Sequence, residues 1–117
     1  MHNFKELKIW KAGIEVSKFT FNITRNFPPD ERYGLISQMT RAAVSIPSNI
    51  AEGCGRKSNK ELHQFLNISL GSAFELETHF IIANEFAYIT ENQLKEATLM
   101  LAEIQKMIYG LQKSLNI

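Results

Sequence analysis

Three basic side chains lie close together near the middle of the sequence. Arg56, Lys57 and Lys60 follow the run Gly53-Cys54-Gly55, at the point where a further helix is predicted to begin. The first turn of a helix offers free amide donors and a positive dipole end to anions, and glycines let a ligand approach the backbone. This turn is therefore the best candidate for a phosphate contact, although the same residues could instead form a solvated charged surface.

A second basic strip lies near the start of the chain, where Lys5, Lys8 and Lys11 surround Trp10 and Lys18 extends the strip. Lys8 and Lys11 are predicted to bind nucleic acid together with the first cluster, and a solvated charged face is again the alternative. The chain carries 13 Lys and Arg against 12 Asp and Glu, a formal net charge of +1. Because there is no overall polycation, any nucleic-acid binding has to come from these local clusters.

A polar stripe runs along one side of the predicted second helix. Its members recur at helical spacing, and they are Arg41, Ser45, Ser48, Asn49 and Glu52. In RNA recognition Arg41 would pair with a phosphate, while Ser45 and Asn49 would donate to sugar or base oxygens. In the structural alternative, Arg41 pairs with Glu75 or Glu77, and the small polar residues satisfy backbone groups released by a proline. The sequence leaves both interpretations open.

The residue types that usually carry catalysis do not converge in this sequence. His2, His63 and His79 lack the i, i+4 spacing of a helical metal pair, and no other histidine or cysteine completes a ligand set beside them. The basic neighbours of Cys54 could lower its thiol pKa. Without a histidine partner, however, Cys54 is interpreted as an incidental cysteine. We therefore expect no enzyme activity, no metal and no cofactor.

Hydrophobic periodicity indicates that helices carry all of these residues. Apolar residues at three-and-four spacing predict a first helix from about Leu7 to Phe27, where two prolines follow. A second helix is predicted from Pro29 to about Gly53. No strand alternation interrupts the pattern.

The second helix has a proline in its interior and glycines at its end. Pro47 removes one backbone hydrogen bond and clashes with the carbonyl of Ala43, so a kink is expected there. Gly53 and Gly55 are expected to end the helix in the left-handed conformation.

Two N-capping signals start the remaining helices. Ser58 with Glu61 opens a third helix, and Thr90 with Gln93 opens a fourth, whose apolar residues follow a seven-residue repeat. Short connections favour an all-α, up-down-up-down antiparallel four-helix bundle with long helices, as a single domain over residues 1–117. No segment is apolar enough to cross a membrane. With one cysteine and no signal-peptide pattern, a cytoplasmic location is expected.

The predicted third helix has more apolar residues than the core of one bundle needs. Besides its core stripe it carries a second stripe that includes Phe65 and Ile82, and a third that includes Phe74, Ile81 and Tyr88. A helix that is apolar around most of its circumference must be covered on several sides. Self-association through Phe74, Ile81 and Tyr88 is therefore expected. The alternative is a wide core with a few scattered aromatic residues on the surface.

Several segments resemble a known family, the bacterial four-helix-bundle proteins from intervening sequences in 23S ribosomal RNA genes. The matching words are RAAVSIPSNIAEG, GRKS and FLNISLGSAFELE. The opening around Phe4, Leu7 and Trp10 is also similar, as is the turn from Phe27 to Leu35. The resemblance covers roughly residues 4 to 80. One departure is Thr40, because relatives commonly have arginine there, before Arg41.

The resemblance implies a homopentameric ring in which each basic cluster is repeated five times. One function that it suggests is binding of structured RNA or DNA through the repeated basic surface. This bundle also resembles the accessory subunit of diversity-generating retroelements, a pentamer that binds a reverse transcriptase, so an adaptor for a protein partner is the second function. A structural oligomer without a ligand is the third.

Overall fold

The computed structural model describes residues 3–117 of the chain, so His2 lies outside the described residues. Four α-helices make up most of this range: α1 (Lys8–Thr24), α2 (Leu35–Cys54), α3 (Asn59–Glu85) and α4 (Glu91–Ser114). Single 3₁₀ turns cover Phe4–Glu6 and Pro29–Glu31, and residues 3–117 contain no strand. The predicted all-α fold with four helices is therefore confirmed. Within this range, no helix is long and apolar enough to span a membrane.

Neighbouring helices run in opposite directions. Two contacts show this for each pair of helices. Between α1 and α2 they are Gly13–Pro47 and Ser17–Ala43, and between α2 and α3 they are Ile46–Ser69 and Gly53–Leu62. Between α3 and α4 they are Asn67–Gln112 and Glu77–Gln105. In each pair of helices, the residue number in one helix rises as that of its partner falls, so the two helices are antiparallel. Within residues 3–117 the backbone of α1 also lies beside that of α4. Across the core, the ring of Phe19 in α1 lies 5.8 Å from that of Phe80 in α3, measured between centroids. The backbone of each helix thus lies beside two others, and large side chains fill the space between α1 and α3.

The start and the end of α2 differ from the sequence prediction. The helix begins at Leu35 instead of Pro29, because Gly34 has φ −111° and ψ −110°, outside the helical region. The Glu31 carboxylate accepts a hydrogen bond from the Leu35 amide at 3.2 Å and so satisfies a free donor of the new helix. At the other end Gly55 has φ −84° and ψ −5°, so the expected left-handed termination is wrong.

Both predicted N-caps are present. Thr90 Oγ1 accepts from the Gln93 amide at 3.1 Å, and the Gln93 side chain accepts from the Thr90 amide at 2.9 Å, which completes a capping box. Ser58 Oγ accepts from the Glu61 amide at 3.1 Å. These caps fix where α3 and α4 begin.

The core lies between the four helices and is aliphatic apart from a few residues. The largest completely buried side chains include Phe80, Met39, Ile46, Ile50, Leu66, Leu76, Leu101, Ile104 and Ile108. They lie at helical spacing on one side of α2, α3 and α4, as the periodicity predicts. The opposite sides of these helices are open to solvent.

Candidate nucleic-acid interface

The turn between α2 and α3 is shaped by close contact of the two helices. A Cβ atom on Gly53 would lie 2.8 Å from Leu62 Cδ1 and 2.9 Å from Phe65 Cβ. These distances are shorter than side chains tolerate, so Gly53 lets the end of α2 pack against the start of α3. Its role is in helix packing, whereas the sequence suggested that the glycines admit a ligand.

Arg56 is the most constrained cation of this turn. Its guanidinium lies 2.9 Å from the Glu52 carboxylate, and its Cζ lies 4.7 Å from the ring centroid of Phe65. Both partners remain partly open to solvent, so the ion pair itself is weak. A phosphate would nevertheless have to compete with Glu52 for this side chain. Two members of the predicted interface, Arg56 and Glu52, thus bind each other.

Lys57 and Lys60 are exposed, and within residues 3–117 neither has a carboxylate within 4 Å. The same holds for Lys8 and Lys11. Because α1 and α2 are antiparallel, α1 begins beside the end of α2, and the 3₁₀ turn before α1 contacts α2. The four lysines therefore lie at one end of the protein. This group is called the lysine end below.

Arg41 lies elsewhere, about 20 Å from the end of α2 at about 1.5 Å per residue. It is exposed and lines a groove between α2 and α3, together with Glu75. Neither acid of the structural alternative pairs with it. Glu75 lies 3.7 Å from His79 Nε2, and Glu77 accepts a hydrogen bond from the side chain of Gln105 at 2.9 Å. The structure thus does not join Arg41 to the lysine end.

Two small polar residues of the stripe, Ser45 and Asn49, are used inside the protein. Ser45 Oγ lies 2.9 Å from Ser72 Oγ across the α2–α3 contact. Asn49 Nδ2 donates to the carbonyl oxygen of Ser45 at 2.8 Å and lies 2.9 Å from Ser45 Oγ. Ser45 and Asn49 are both only partly exposed, whereas Ser48 is exposed. For Ser45 and Asn49 the structure therefore favours packing over recognition.

Pro47 is buried within α2, which continues unbroken through it. The carbonyl of Ala43 loses its helical donor to the proline, and Ser17 Oγ from α1 donates to it at 3.1 Å. The expectation that the polar stripe of α2 supplies this compensation is wrong for this carbonyl. The donor comes from the neighbouring helix.

The groups that could react are buried. Cys54 is 1% exposed, and burial raises the pKa of its thiol, so the basic neighbours do not activate it. His79 is also buried, and desolvation lowers its pKa against the opposing influence of Glu75. The part of the chain that the structure describes has no group of three or more His, Cys, Asp or Glu arranged to hold a metal.

The outer side of α3 carries large apolar side chains in contact with solvent. Ile68, Phe74, Ile81 and Ile82 are 51%, 45%, 47% and 38% exposed, and they form what we call the apolar face of α3. Tyr88 is not part of it, because α3 ends at Glu85. The Tyr88 ring packs 5.3 Å from that of Phe27, measured between centroids, and its hydroxyl donates to Glu31 at 2.8 Å.

Three residues near the turn between α1 and α2 were not among the predicted site residues. Arg25 and Arg32 have no carboxylate within 4 Å in the described range, and Tyr33 is 88% exposed. Arg25 and Arg32 are separated in the sequence and form no local run of positive charge, so the search for basic clusters did not identify them. Tyr33 lines the same groove as Arg41, whereas Arg25 and Arg32 line a separate depression.

A crystal structure of a protein of unknown function from the S23 ribosomal protein family of Bacteroides thetaiotaomicron has a similar fold. It aligns with a TM-score of 0.82 and 24% sequence identity, over 91% of this chain and 99% of that one. No curated protein matches the sequence. Residues 5–110 match the family described as 23S rRNA-intervening sequence protein. Because this match covers most of the chain, the protein belongs to the 23S rRNA-intervening sequence protein family.

Proposed function

We propose that this protein is a non-enzymatic, cytoplasmic RNA-binding subunit that acts through its lysine end. The observation that carries the proposal is the position of Lys8, Lys11, Lys57 and Lys60 at one end, exposed and without an acidic partner within 4 Å over residues 3–117. Lysines of this kind can neutralise phosphates at the cost only of their own hydration and mobility. The expected ligand is structured RNA, bound by its backbone with little sequence preference.

We further propose that the up-down-up-down bundle assembles into a homopentameric ring. Support comes from the apolar face of α3, which leaves four large side chains in contact with water. Burying such a face stabilises an oligomer at about 25 cal/mol for each Å² of apolar surface removed from water. A closed ring would repeat the lysine end in every subunit, so that weak contacts add together.

The proposed binding is tested with a structured RNA and a DNA duplex of equal length. Affinity is measured at about 50 and about 200 mM salt, where multiple phosphate contacts produce a steep loss. The double variant Lys57→Gln/Lys60→Gln is expected to reduce the slope of log K against log salt by about 1 for each lysine that no longer pairs with a phosphate. The single variant Lys95→Gln removes one exposed charge near the start of α4, away from the lysine end, and serves as the control that should leave the slope unchanged.

A protein-interaction adaptor is the second candidate, because the apolar face of α3 also suits a protein partner. Light scattering at micromolar concentration distinguishes self-assembly through that face from binding of a different protein. An oligomeric mass in the wild type that is lost in Phe74→Asp supports self-assembly. A monomeric mass, combined with no RNA binding at low salt, would reject the proposed ring and make the adaptor the leading function.

A further inference from the structure

Tyr33 is an unusual aromatic residue because almost none of it is used in the fold. Its exposed fraction is 88%, the highest among the large hydrophobic residues over positions 3–117. Its one close partner of note is Arg32, whose guanidinium carbon lies 5.6 Å from the ring centroid. An arginine beside an aromatic ring leaves most of this ring in water. The packing of the subunit does not account for its position.

Beside Tyr33 lies a polar groove of about 490 Å³ between α2 and α3. This volume falls within the range of about 300–1,000 Å³ typical of small-molecule sites. The lining includes Gln38, Ser45 and Ser72 along with Tyr33 and the charged residues Arg41 and Glu75. The groove therefore combines an aromatic ring at its edge with polar and charged groups along its walls.

The two charged groups of the groove have different uses for a ligand. Arg41 has no carboxylate within 4 Å in the described range, so its guanidinium can pair with a phosphate. Glu75 is an acceptor, and its only close cationic neighbour within residues 3–117 is His79, at 3.7 Å. Because the pKa of His79 is lowered by burial, the imidazole is a poor competitor for the carboxylate near neutral pH. Carboxylates accept hydrogen bonds from base amino groups.

A second depression lies at the turn between α1 and α2, to which Tyr33 also belongs. It is lined by the aromatic rings of Phe21 and Phe27 and by Arg25 and Arg32, neither of which has an acidic partner in the described range. Acids are present as well: Asp30 and Glu31 lie between Pro29 and Arg32 in the sequence, and the Glu31 carboxylate accepts a hydrogen bond from the Tyr88 hydroxyl. The turn is thus not a continuous basic surface. Its features suit a short contact with one or two nucleotides instead of a long phosphate track.

We propose that Tyr33 and the adjoining groove bind an unpaired nucleotide of single-stranded RNA. The base stacks on the Tyr33 ring, its amino group donates to Glu75, and the neighbouring phosphate pairs with Arg41. Aromatic stacking of splayed bases is the usual way in which proteins recognise unpaired RNA. This site rests on the proposed RNA binding and adds to it. At about 1.5 Å per residue, Arg41 lies about 20 Å and Tyr33 about 30 Å from the end of α2 that carries the lysine end.

The test compares a blunt RNA hairpin with the same hairpin carrying a short single-stranded extension. Wild-type protein is expected to bind the extended RNA more tightly. Tyr33→Ala is expected to weaken binding of the extended RNA by between about 5-fold and about 150-fold, the range for loss of one stacked base. It should leave binding of the blunt hairpin and the salt slope unchanged, because every phosphate keeps its cation. Tyr33→Phe keeps the ring and should retain the affinity.

Each outcome separates this site from the lysine end. If wild type binds neither RNA, the proposed function fails and this site fails with it. If both RNAs bind wild type and Tyr33→Ala equally well, this site is overturned while the lysine end stands. A change of oligomer mass in Tyr33→Ala would show that the ring contacts another subunit and would also overturn it. A free nucleoside monophosphate that binds as tightly as the extended RNA would overturn the assignment to a strand.

Discussion

Ser17 of α1 donates a hydrogen bond from its Oγ to the carbonyl oxygen of Ala43 in α2, over 3.1 Å. Ala43 is the residue four positions before Pro47, so its carbonyl is the one that a proline leaves without a helical donor. The same hydroxyl lies 3.0 Å from the carbonyl of Gly13, and the proline ring packs against Gly13 itself. The neighbouring helix thus compensates for the proline and packs closely against it.

Ser17→Ala is expected to lower the free energy of unfolding by about 1–3 kcal/mol, because the Ala43 carbonyl is left unsatisfied. Denaturant unfolding followed by circular dichroism measures this loss. In a Pro47→Ala background, the backbone N–H of residue 47 can donate to the Ala43 carbonyl. The loss of unfolding free energy caused by Ser17→Ala should therefore be smaller in that background. Equal costs in both backgrounds would show that Ser17 acts independently of the proline.

Gly53→Ala is expected to destabilise the protein, because the new Cβ would lie 2.8 Å from Leu62 Cδ1 and 2.9 Å from Phe65 Cβ. Overpacking of this kind typically costs about 1–3 kcal/mol. The control is Gly110→Ala in α4, where a Cβ meets nothing within 4 Å. There the helix should gain up to about 1 kcal/mol in propensity. Thermal unfolding of the two variants should therefore shift in opposite directions.

The parts of the fold set by neighbouring residues were predictable from the sequence. The caps at Ser58 and Thr90 depend on residues three positions away, so a short window is enough to find them. Helical periodicity likewise identified the four helices and most of the buried positions. The break at Gly34 was missed because Pro29 and two acids imitate the start of a helix, and the backbone angles of a glycine are not readable from its type.

The site was less predictable, because its properties depend on contacts between distant residues. The charge of Arg56 suggested a free cation, whereas Phe65 from the next helix packs beneath its guanidinium. Ser45 and Asn49 suggested a recognition stripe, whereas Ser45 is hydrogen-bonded to Ser72 across the contact between α2 and α3. The 88% exposure of Tyr33 could not be inferred either, since whether an aromatic side chain in a turn packs depends on the elements that the fold brings beside it.

Ala87 occupies a position that favours glycine, with φ 60°. The amide of Tyr88 donates to the carbonyl of Ala83 and that of Ala87 to Asn84, both at 2.9 Å, which is the Schellman pattern at the end of α3. Ala87→Gly should raise the free energy of unfolding by about 0.5–1 kcal/mol, because glycine removes the left-handed penalty. Ala102→Gly in α4 is the control and should lower it by about 1 kcal/mol. If both variants lower the free energy of unfolding, the left-handed backbone assigned to Ala87 is contradicted.

His79 is expected to make stability depend on pH. Its pKa in the folded protein is lowered from the ordinary value of 6.5, first because burial desolvates the charged form and despite the favourable charge of Glu75. Well above pH 6.5 the imidazole is neutral in both states and contributes no pH dependence. Below it the unfolded chain binds the proton more readily, so the free energy of unfolding falls until the folded pKa is reached.

His79→Leu should therefore flatten the decline in stability between about pH 7.5 and the folded pKa, and it also removes Nδ1, which is buried without a hydrogen-bond partner in the described range. His63→Gln, at a less buried position on the same helix, is the control and should keep the decline. Denaturant unfolding at several pH values measures the slope for each protein. An unchanged slope in His79→Leu would assign the dependence to the carboxylates, since their titration would then account for all of it.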